Sequence, residues 1–454
     1  MPGRLVVVGG GAAGMSAASA ARRTDPHLEI VVLEATGYAA YGLCGLPYYV
    51  AGLIESVESL AAYSPEFFRR RRRIDLRLHA RVHSIDPATR TVTYSHDGHQ
   101  RRLGYDRIVL TTGATPVRPD VPGLDDPRVF TVRSLPDAIS LRSLLDAGRL
   151  GRVLIVGAGY IGLEMAEAFV HRGSTVTVVE ALGQVMPNLD ASVAALVEEE
   201  VRRQPVDLRL GAKVTGVTRV GDRLLAEIDS DEVLVDAVVL ATGVRPASEL
   251  IAGARADSRG WLLVDDHMRT SVPDVFAAGD CIAPWHRVLG RPAAVPLGPA
   301  ANKTGRVAGT VAAGGSATFP GIVGTAVAKV FDLAVARTGL TETDARAEGL
   351  PAMATEVTGM SRAKYYPGSQ PVHTRMVHTP DGRLLGVQMV GSGDGVAKRI
   401  DAVAVALQAG LSVSELAEAD LAYAPPYAPV REPVLLAAQA AVRLASQPQS
   451  PRAA

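Results

Sequence analysis

Arg4-Leu-Val-Val-Val8 is an unbroken apolar run, as a parallel strand covered on both faces requires. Glycines follow at once, Met15 to Arg23 reads as a small-residue helix, and Leu28 to Glu34 reads as a second strand. The same order returns with Arg152 to Val156, a glycine loop, a helix to Arg172 and a strand from Thr175 to Glu180. Apolar strands also close on Thr-Gly turns at Thr112-Gly113 and Thr242-Gly243, and Val275 to Ala278 ends in Gly279-Asp280. A Pro-rich crossing and a helix from Pro136 to Ala147 fill 117–150, and another small-residue helix begins within 296–306. From about Phe319 the pattern changes to paired strands over 324–339, a turn at 365–368 and a strand pair around Asp381-Gly382. Alanine-rich helices are predicted over 397–409, 412–418 and 430–445. The fold class is therefore α/β, two Rossmann-like dinucleotide-binding domains followed by an α+β domain.

The loops sharpen that reading. Gly9-Gly10-Gly11-Ala12-Ala13-Gly14 and Gly157-Ala158-Gly159-Tyr160-Ile161-Gly162 each lie between a strand and a helix. There, bare backbone N–H groups can approach a pyrophosphate at the helix N-terminus. Their first glycines are 148 residues apart (157 minus 9), so two nucleotides are expected. Glu34 lies 20 residues after Gly14 and Glu180 ends the matching strand, each placed to accept from ribose hydroxyls. Ala181-Leu182-Gly183 follows Glu180 with no basic neighbour, which favours NADH over NADPH. Asp280 can accept from ribityl hydroxyls while Gly279 permits close approach.

The 454 residues hold 47 basic and 47 acidic side chains, so no net field points to nucleic acid or a membrane surface. No apolar run approaches the roughly 18 residues of a membrane span. The chain enters the strand Leu5 to Val8 directly, which predicts no signal peptide, and two distant cysteines fit a reducing cytoplasm. Phe67-Phe68 and five arginines, 69–73, read as a short helix. Its arginines are either a solvated helix end or, with Arg22 and Arg23, a clamp for an anionic substrate. The Pro/Ser/Gln-rich residues 446–454 are expected to be disordered.

One cysteine stands in Tyr41-Gly42-Leu43-Cys44-Gly45-Leu46-Pro47-Tyr48-Tyr49, seven residues after Glu34. A Cys-x4-Cys pair would put its second thiol where Tyr49 stands, so no internal disulfide can close. A lone thiolate must cycle through a sulfenic acid or a mixed disulfide with an external thiol. Cys281 has no acid or histidine partner nearby and reads as a packing residue.

Together these residues resemble the FAD- and NAD(P)H-dependent pyridine nucleotide–disulfide oxidoreductases with a single active-site cysteine, over roughly residues 3 to 440. The carriers are the two fingerprints, Thr112-Gly113, Thr242-Gly243-Val244-Arg245-Pro246, Gly279-Asp280 and Cys44-Gly-Leu-Pro-Tyr-Tyr. The resemblance implies an FAD-binding domain of 1–117 and 247–321, an NAD(P)H-binding domain of 118–246, and a dimerisation domain of 322–445. It makes Cys44 the redox residue, and it places Val82 and Ala300 at the flavin and Tyr160 over its ring. A helix starting at Cys44 would lower the thiol pKa. Coenzyme A disulfide reductases in this class are similar in a Tyr-Tyr-Pro-Gly turn and a Tyr-Ala-Pro-Pro motif, found here at Tyr365-Tyr366 and Tyr423. Across a homodimer interface these phenols would donate to a departing thiolate. Ala12 stands where the peroxidases and oxidases carry a histidine. Ala40, Leu43 and Asn302 depart from the coenzyme A branch, and Asn302 is a candidate substrate contact. The implied acceptor is a small disulfide or persulfide; the alternatives are O₂ or, as in ferredoxin-type reductases, an electron-transfer protein.

Overall fold

Three five-stranded sheets, two parallel and one antiparallel, organise the chain, with two three-stranded antiparallel sheets and shorter strand pairs beside them; the computed structural model describes residues 3–445. The tail expected to be disordered, 446–454, lies outside the described residues. In the first sheet the strands run Val275–Ala277, Arg107–Leu110, Arg4–Val8, Glu29–Leu33, Asp75–Arg77, all parallel. Leu5, Val6, Val7, Ile30, Val31 and Val32 are buried in one core with covering helices and with Ile85, Val92 and Tyr94 of a three-stranded antiparallel sheet. One of these helices, α1 (Ala12–Thr24), follows the first glycine loop. After the second strand the chain leaves the sheet to make a one-turn 3₁₀ segment, Leu43–Gly45, and α2 (Leu46–Ala51). The helix predicted to begin at Cys44 therefore begins two residues later. Pro47, which lacks an N–H, fits the first turn of α2, and Gly52 ends it with φ +86°.

The predicted arginine helix is a single five-residue π turn, Phe67–Arg71. Tyr63 stacks on Phe67 at 4.4 Å, Phe68 is buried, and Arg69 Nη2 donates to Leu76 O at 2.9 Å, which folds the segment back onto the sheet edge.

The helix α3 (Leu135–Asp146) opens with a capping box in which Ser134 and Asp137 satisfy each other's backbone N–H groups. It leads into the second sheet, ordered Val206–Leu210, Thr175–Glu180, Arg152–Val156, Ala237–Leu240, Val129–Thr131. Its loop helix is α4 (Tyr160–His171), and α5 (Ala191–Arg203) follows the next strand. The two Thr-Gly turns meet where the chain passes between the sheets. Ala114–Pro116 pairs antiparallel with Val244–Pro246. Thr112 Oγ1 donates to Ala247 O, and Thr242 Oγ1 donates to Val117 O at 2.7 Å, so each turn clasps the strand leaving the other.

A long helix, α6 (Gly298–Ala312), returns to pack on α1. The last sheet is antiparallel, ordered Ala326–Val330, Leu333–Gly339, Leu384–Ser392, Pro371–His378, Met353–Met360. Helices Gly395–Ala409, Val413–Ala417 and Pro433–Ala445 cover it. Asp190, at the N-terminus of α5, ties this unit to the second sheet by accepting from Arg375 Nε at 3.0 Å and Gln388 Nε2 at 2.6 Å. Among the described residues no helix is long and apolar enough to cross a membrane.

Candidate active site

The two glycine loops are superimposable in their logic. Gly9 has φ +105° and Gly157 has φ +107°, conformations an L side chain resists. A Cβ at Gly14 would stand 1.9 Å from Gly9 O, and one at Gly162 would stand 2.0 Å from Gly157 O. At Gly11 and Gly159 the opposite holds, since a Cβ would meet no protein atom within 4 Å. Both are helix N-caps without a side-chain cap, and neither helix has an acid in its first turn. Helix N–H groups thus face open space with no protein acceptor, the cradle a pyrophosphate fills.

The acidic strand ends also match. Glu34 Oε2 accepts from Gly10 N at 2.6 Å and Oε1 from Thr36 N at 2.7 Å. Glu180, buried, accepts from Ala158 N at 2.8 Å and Leu182 N at 2.9 Å. Each carboxylate is oriented by backbone and keeps lone pairs for a ribose. Ala12 and Ala13 open α1 and Tyr160 and Ile161 open α4. Val82 packs half-buried against the first core, beside which Ala300 lies in the first turn of α6.

The Cys44 segment is anchored to the first loop. Ala40 has φ +54°, a left-handed conformation unusual for a non-glycine residue, and its N–H donates to Gly10 O at 2.9 Å. Gly42 N donates to Leu60 O at 2.9 Å, and Arg142 Nη1 holds Tyr49 O at 2.7 Å. Cys44 is exposed, whereas Cys281 is fully buried with its Sγ 3.3 Å from Ala278 O, so the two thiols have no route to each other. Burial pushes the Cys281 thiol up to about 11.

Three segments bring charge to Cys44. Protein crowds the sulfur on the sides away from solvent, and that desolvation, followed by Glu164 and Asp280, raises its pKa; the Arg133 guanidinium lowers it. The expectation that the local helix would depress this thiol is thus corrected: the turn at Cys44 is 3₁₀, and burial outweighs it. Arg133 Nη2 pairs with Asp280 Oδ2 at 2.8 Å and its Nε donates to Ala114 O at 3.0 Å. Glu164 is pushed up to about 7 by burial and by Glu167 beside it. Tyr48, between α2 and α4, is pushed up to about 12 by burial and by the same two carboxylates.

The chain belongs to the pyridine nucleotide-disulphide oxidoreductase family. That family's pattern matches residues 3–305, and the pattern of its dimerisation domain matches 325–433. The chain is therefore an oxidoreductase. It is 39% identical over 446 residues to an NAD(P)H coenzyme A polysulfide/persulfide reductase of Pyrococcus horikoshii, across 97% of this chain and 98% of the relative. The structure of an NAD-dependent persulfide reductase from A. fulgidus matches with TM-score 0.93 and 38% identity, over 97% of this chain and 83% of that one. A water-forming NADH oxidase from Lactobacillus brevis, bound to NADH, matches with TM-score 0.94 and 29% identity, over 98% of this chain and 99% of that one.

Within this family frame the remaining candidates separate. Tyr365 and Tyr423 are brought together, their hydroxyls 3.3 Å apart at the edge of an open groove of about 630 Å³, with Lys364, Arg431 and Arg443 on its walls. The mutual hydrogen bond raises the Tyr423 pKa. Tyr366 lies under Arg362 at 5.9 Å. Among the described residues no hydrogen bond or ring contact joins these tyrosines to the Cys44 segment within one chain. Asn302 Nδ2 donates to Ser16 Oγ at 2.8 Å across α6 and α1. The Arg22 guanidinium is engaged by backbone: it donates to Arg72 O at 3.0 Å, Arg73 O at 2.8 Å and Pro26 O at 2.8 Å. It locks the end of α1 to the arginine run, and Arg23 is the exposed neighbour. Sequence reasoning missed Arg133 and Glu164. Glu164 carried a signal, two residues past the last fingerprint glycine, while Arg133 in a Pro-rich crossing carried none.

Proposed function

We propose that the chain is an FAD-dependent NADH oxidoreductase that reduces a low-molecular-weight disulfide or persulfide, coenzyme A disulfide in type, through Cys44. The observation that carries this reading is the solitary exposed thiol beside a nucleotide cradle, with Tyr49 where a resolving thiol would stand and Cys281 sealed in the core. The resolving sulfur must then come from the substrate. The activities of its relatives, a coenzyme A polysulfide/persulfide reductase and a persulfide reductase, support it.

In this reading Gly11, Ala12, Ala13, Glu34 and Asp280 hold FAD, and Gly159, Tyr160, Ile161 and Glu180 hold NADH. When bound, FAD supplies the two-electron relay between NADH and sulfur. The protein's own chemistry starts at Cys44, whose thiolate attacks one sulfur of R–S–S–R. The S–S bond breaks, RS⁻ departs, and a Cys44–S–S–R bond forms. Two electrons from NADH then break that bond, returning Cys44 as thiolate and releasing the second RS⁻. The balance is R–S–S–R + NADH + H⁺ → 2 RSH + NAD⁺. In a homodimer built on residues 322–445, Tyr423 and Tyr365 of one protomer serve the departing thiolate in the other. The division into 1–117 with 247–321, 118–246 and 322–445 follows the three sheets, and a cytoplasmic, reducing location suits a free Cys44.

Acceptor comparison tests the reading. Under anaerobic conditions coenzyme A disulfide should sustain NADH oxidation at a rate well above the one air alone supports. Turnover that needs O₂ and ignores the disulfide would favour an NADH oxidase, the reading supported by the Lactobacillus brevis match.

A further inference from the structure

Each acidic strand end is followed, six residues on (40 minus 34, 186 minus 180), by a non-glycine residue in the left-handed region. Ala40 has φ +54° and Met186 has φ +45°. Their N–H groups go to matching places in the two glycine loops: Ala40 N donates to Gly10 O and Met186 N donates to Ala158 O, both at 2.9 Å. Ala158 is thus held on both sides, its N–H by Glu180 Oε2 at 2.8 Å and its carbonyl by Met186. No described peptide bond is cis, so the Gly159 N–H points away from the Ala158 carbonyl, and the bond from Met186 sets its aim. Gly159 is the N-cap of α4, where a Cβ would meet no protein atom within 4 Å.

The two folds differ in what holds the left-handed turn. Beyond Ala40 the chain runs on into the Cys44 segment, whereas beyond Met186 it is seized by the third five-stranded sheet. Arg337, on the strand Leu333–Gly339, donates from Nη1 to Asn188 O and from Nη2 to Gly339 O at 3.0 Å. Its side chain is only 14% exposed, and Asp344 Oδ2 stands 3.5 Å from Nη2. Leu189 N closes the turn on Met186 O at 2.9 Å, and Gln388 Oε1 accepts from Asp190 N at 2.8 Å just beyond it. A left-handed residue other than glycine persists only where its surroundings hold it. We propose that Arg337 is a positioning residue for the nicotinamide dinucleotide. From the third sheet it fixes the Asn188 carbonyl, and with it the turn that aims the Gly159 N–H at the pyrophosphate. The inference rests on the second loop as the NADH cradle and holds whatever the electron acceptor.

The test is calorimetric binding of ADP-ribose, which carries the pyrophosphate and no nicotinamide, to the FAD-loaded enzyme. Arg337→Met keeps an unbranched side chain and removes the donors. It should weaken ADP-ribose roughly tenfold, the loss expected if the loop is competent about a tenth of the time. Arg337→Lys keeps a charged donor and should recover most of the affinity. In Arg337→Met the FAD content, and the limiting rate at which saturating NADH bleaches the flavin, should stay within about twofold of wild type. A merely structural role would lower both together with the affinity. Should Arg337→Met fail to fold, Arg337→Gln, shorter and uncharged, should weaken binding in the same direction. Wild-type affinity in the variant that folds, a loss that Arg337→Lys does not recover, or a matching fall in FAD content overturns the proposal. The loop itself is scored by Gly162→Val. ADP-ribose binding that survives that change would remove the NADH reading of the second loop, whereas binding lost there but unchanged in Arg337→Met removes this proposal alone.

Discussion

The helix after the first glycine loop, α1, lies so close to α6 that a Cβ at Gly305 would stand 2.2 Å from Ala13 O and one at Gly309 would stand 2.0 Å from Ala17 O. Its counterpart after the second loop, α4, faces α2 and the Cys44 segment instead. The first turn of α1 offers Ala12 and Ala13, whereas that of α4 offers Tyr160 and is followed by Glu164 and Glu167. Glu167 reaches out of the fold, paired with Lys329 and accepting from Phe331 N at 2.9 Å. Equal cradles therefore serve unequal tasks. The first is walled by small residues and in the proposed function holds the FAD. The second places titratable side chains against the Cys44 segment and is braced on the third five-stranded sheet.

The comparison can be broken most violently at the equivalent glycines. Gly14→Val puts a side chain where a Cβ already falls 1.9 Å from Gly9 O, so the purified protein should be nearly colourless, with less than about a tenth of the wild-type FAD. Gly162→Val carries the same clash in the second fold, yet FAD content should stay near wild type while the KM for NADH rises by roughly a hundredfold. Loss of FAD in both variants would mean that the folds are not independent. A smaller effect is expected at the tyrosine pair. Tyr423→Phe deletes one donor and keeps the ring, so losing a charge-assisted bond of about 1.5–3 kcal/mol predicts a ten- to hundredfold fall in disulfide reduction. A wild-type rate would reduce Tyr365 and Tyr423 to interface packing.

The smallest effect is on stability. Glu164 is raised in the folded state to about 7 from an ordinary 4.5. Its contribution is thus fully present below about 4.5 and is lost as pH climbs through about 7. Glu164→Gln should match wild type near pH 4 and exceed it above pH 8 by on the order of 2 kcal/mol, a Tm gain of a few degrees. No counterpart is expected in the first fold, whose loop helix carries no acid there. A Tm difference that is flat with pH would show that Glu164 is solvated.

Period and punctuation made both nucleotide folds legible in the chain, because a glycine whose Cβ would strike backbone leaves a fixed mark in sequence. The strands Thr175–Glu180 and Ala237–Leu240 fall where the apolar runs predict them. The strand Met353–Met360 went unread because it is the sheet edge, half-exposed, and its polar and apolar residues do not form an apolar run. The helix Ala191–Arg203 hid behind its charged stretch 198–203, although Val193, Val197 and Val201 mark a buried stripe. At the site, Cys44 and the two acidic strand ends could be named in advance. Arg133 could not, since only a tertiary approach brings it to Asp280, which lies 147 residues along the chain. The arginine run was open to two readings for the same reason: nothing local says that Arg22 and Arg69 will turn to backbone carbonyls.

The central claim is that the second sulfur of the redox pair comes from the substrate. It is tested most directly by counting thiols released per NADH oxidised, without oxygen, with coenzyme A disulfide, in wild type and Cys44→Ser. Wild type should release two thiols per NADH, and Cys44→Ser should release none above background while NADH still bleaches the flavin. Thiol release by Cys44→Ser at the wild-type rate would contradict the account.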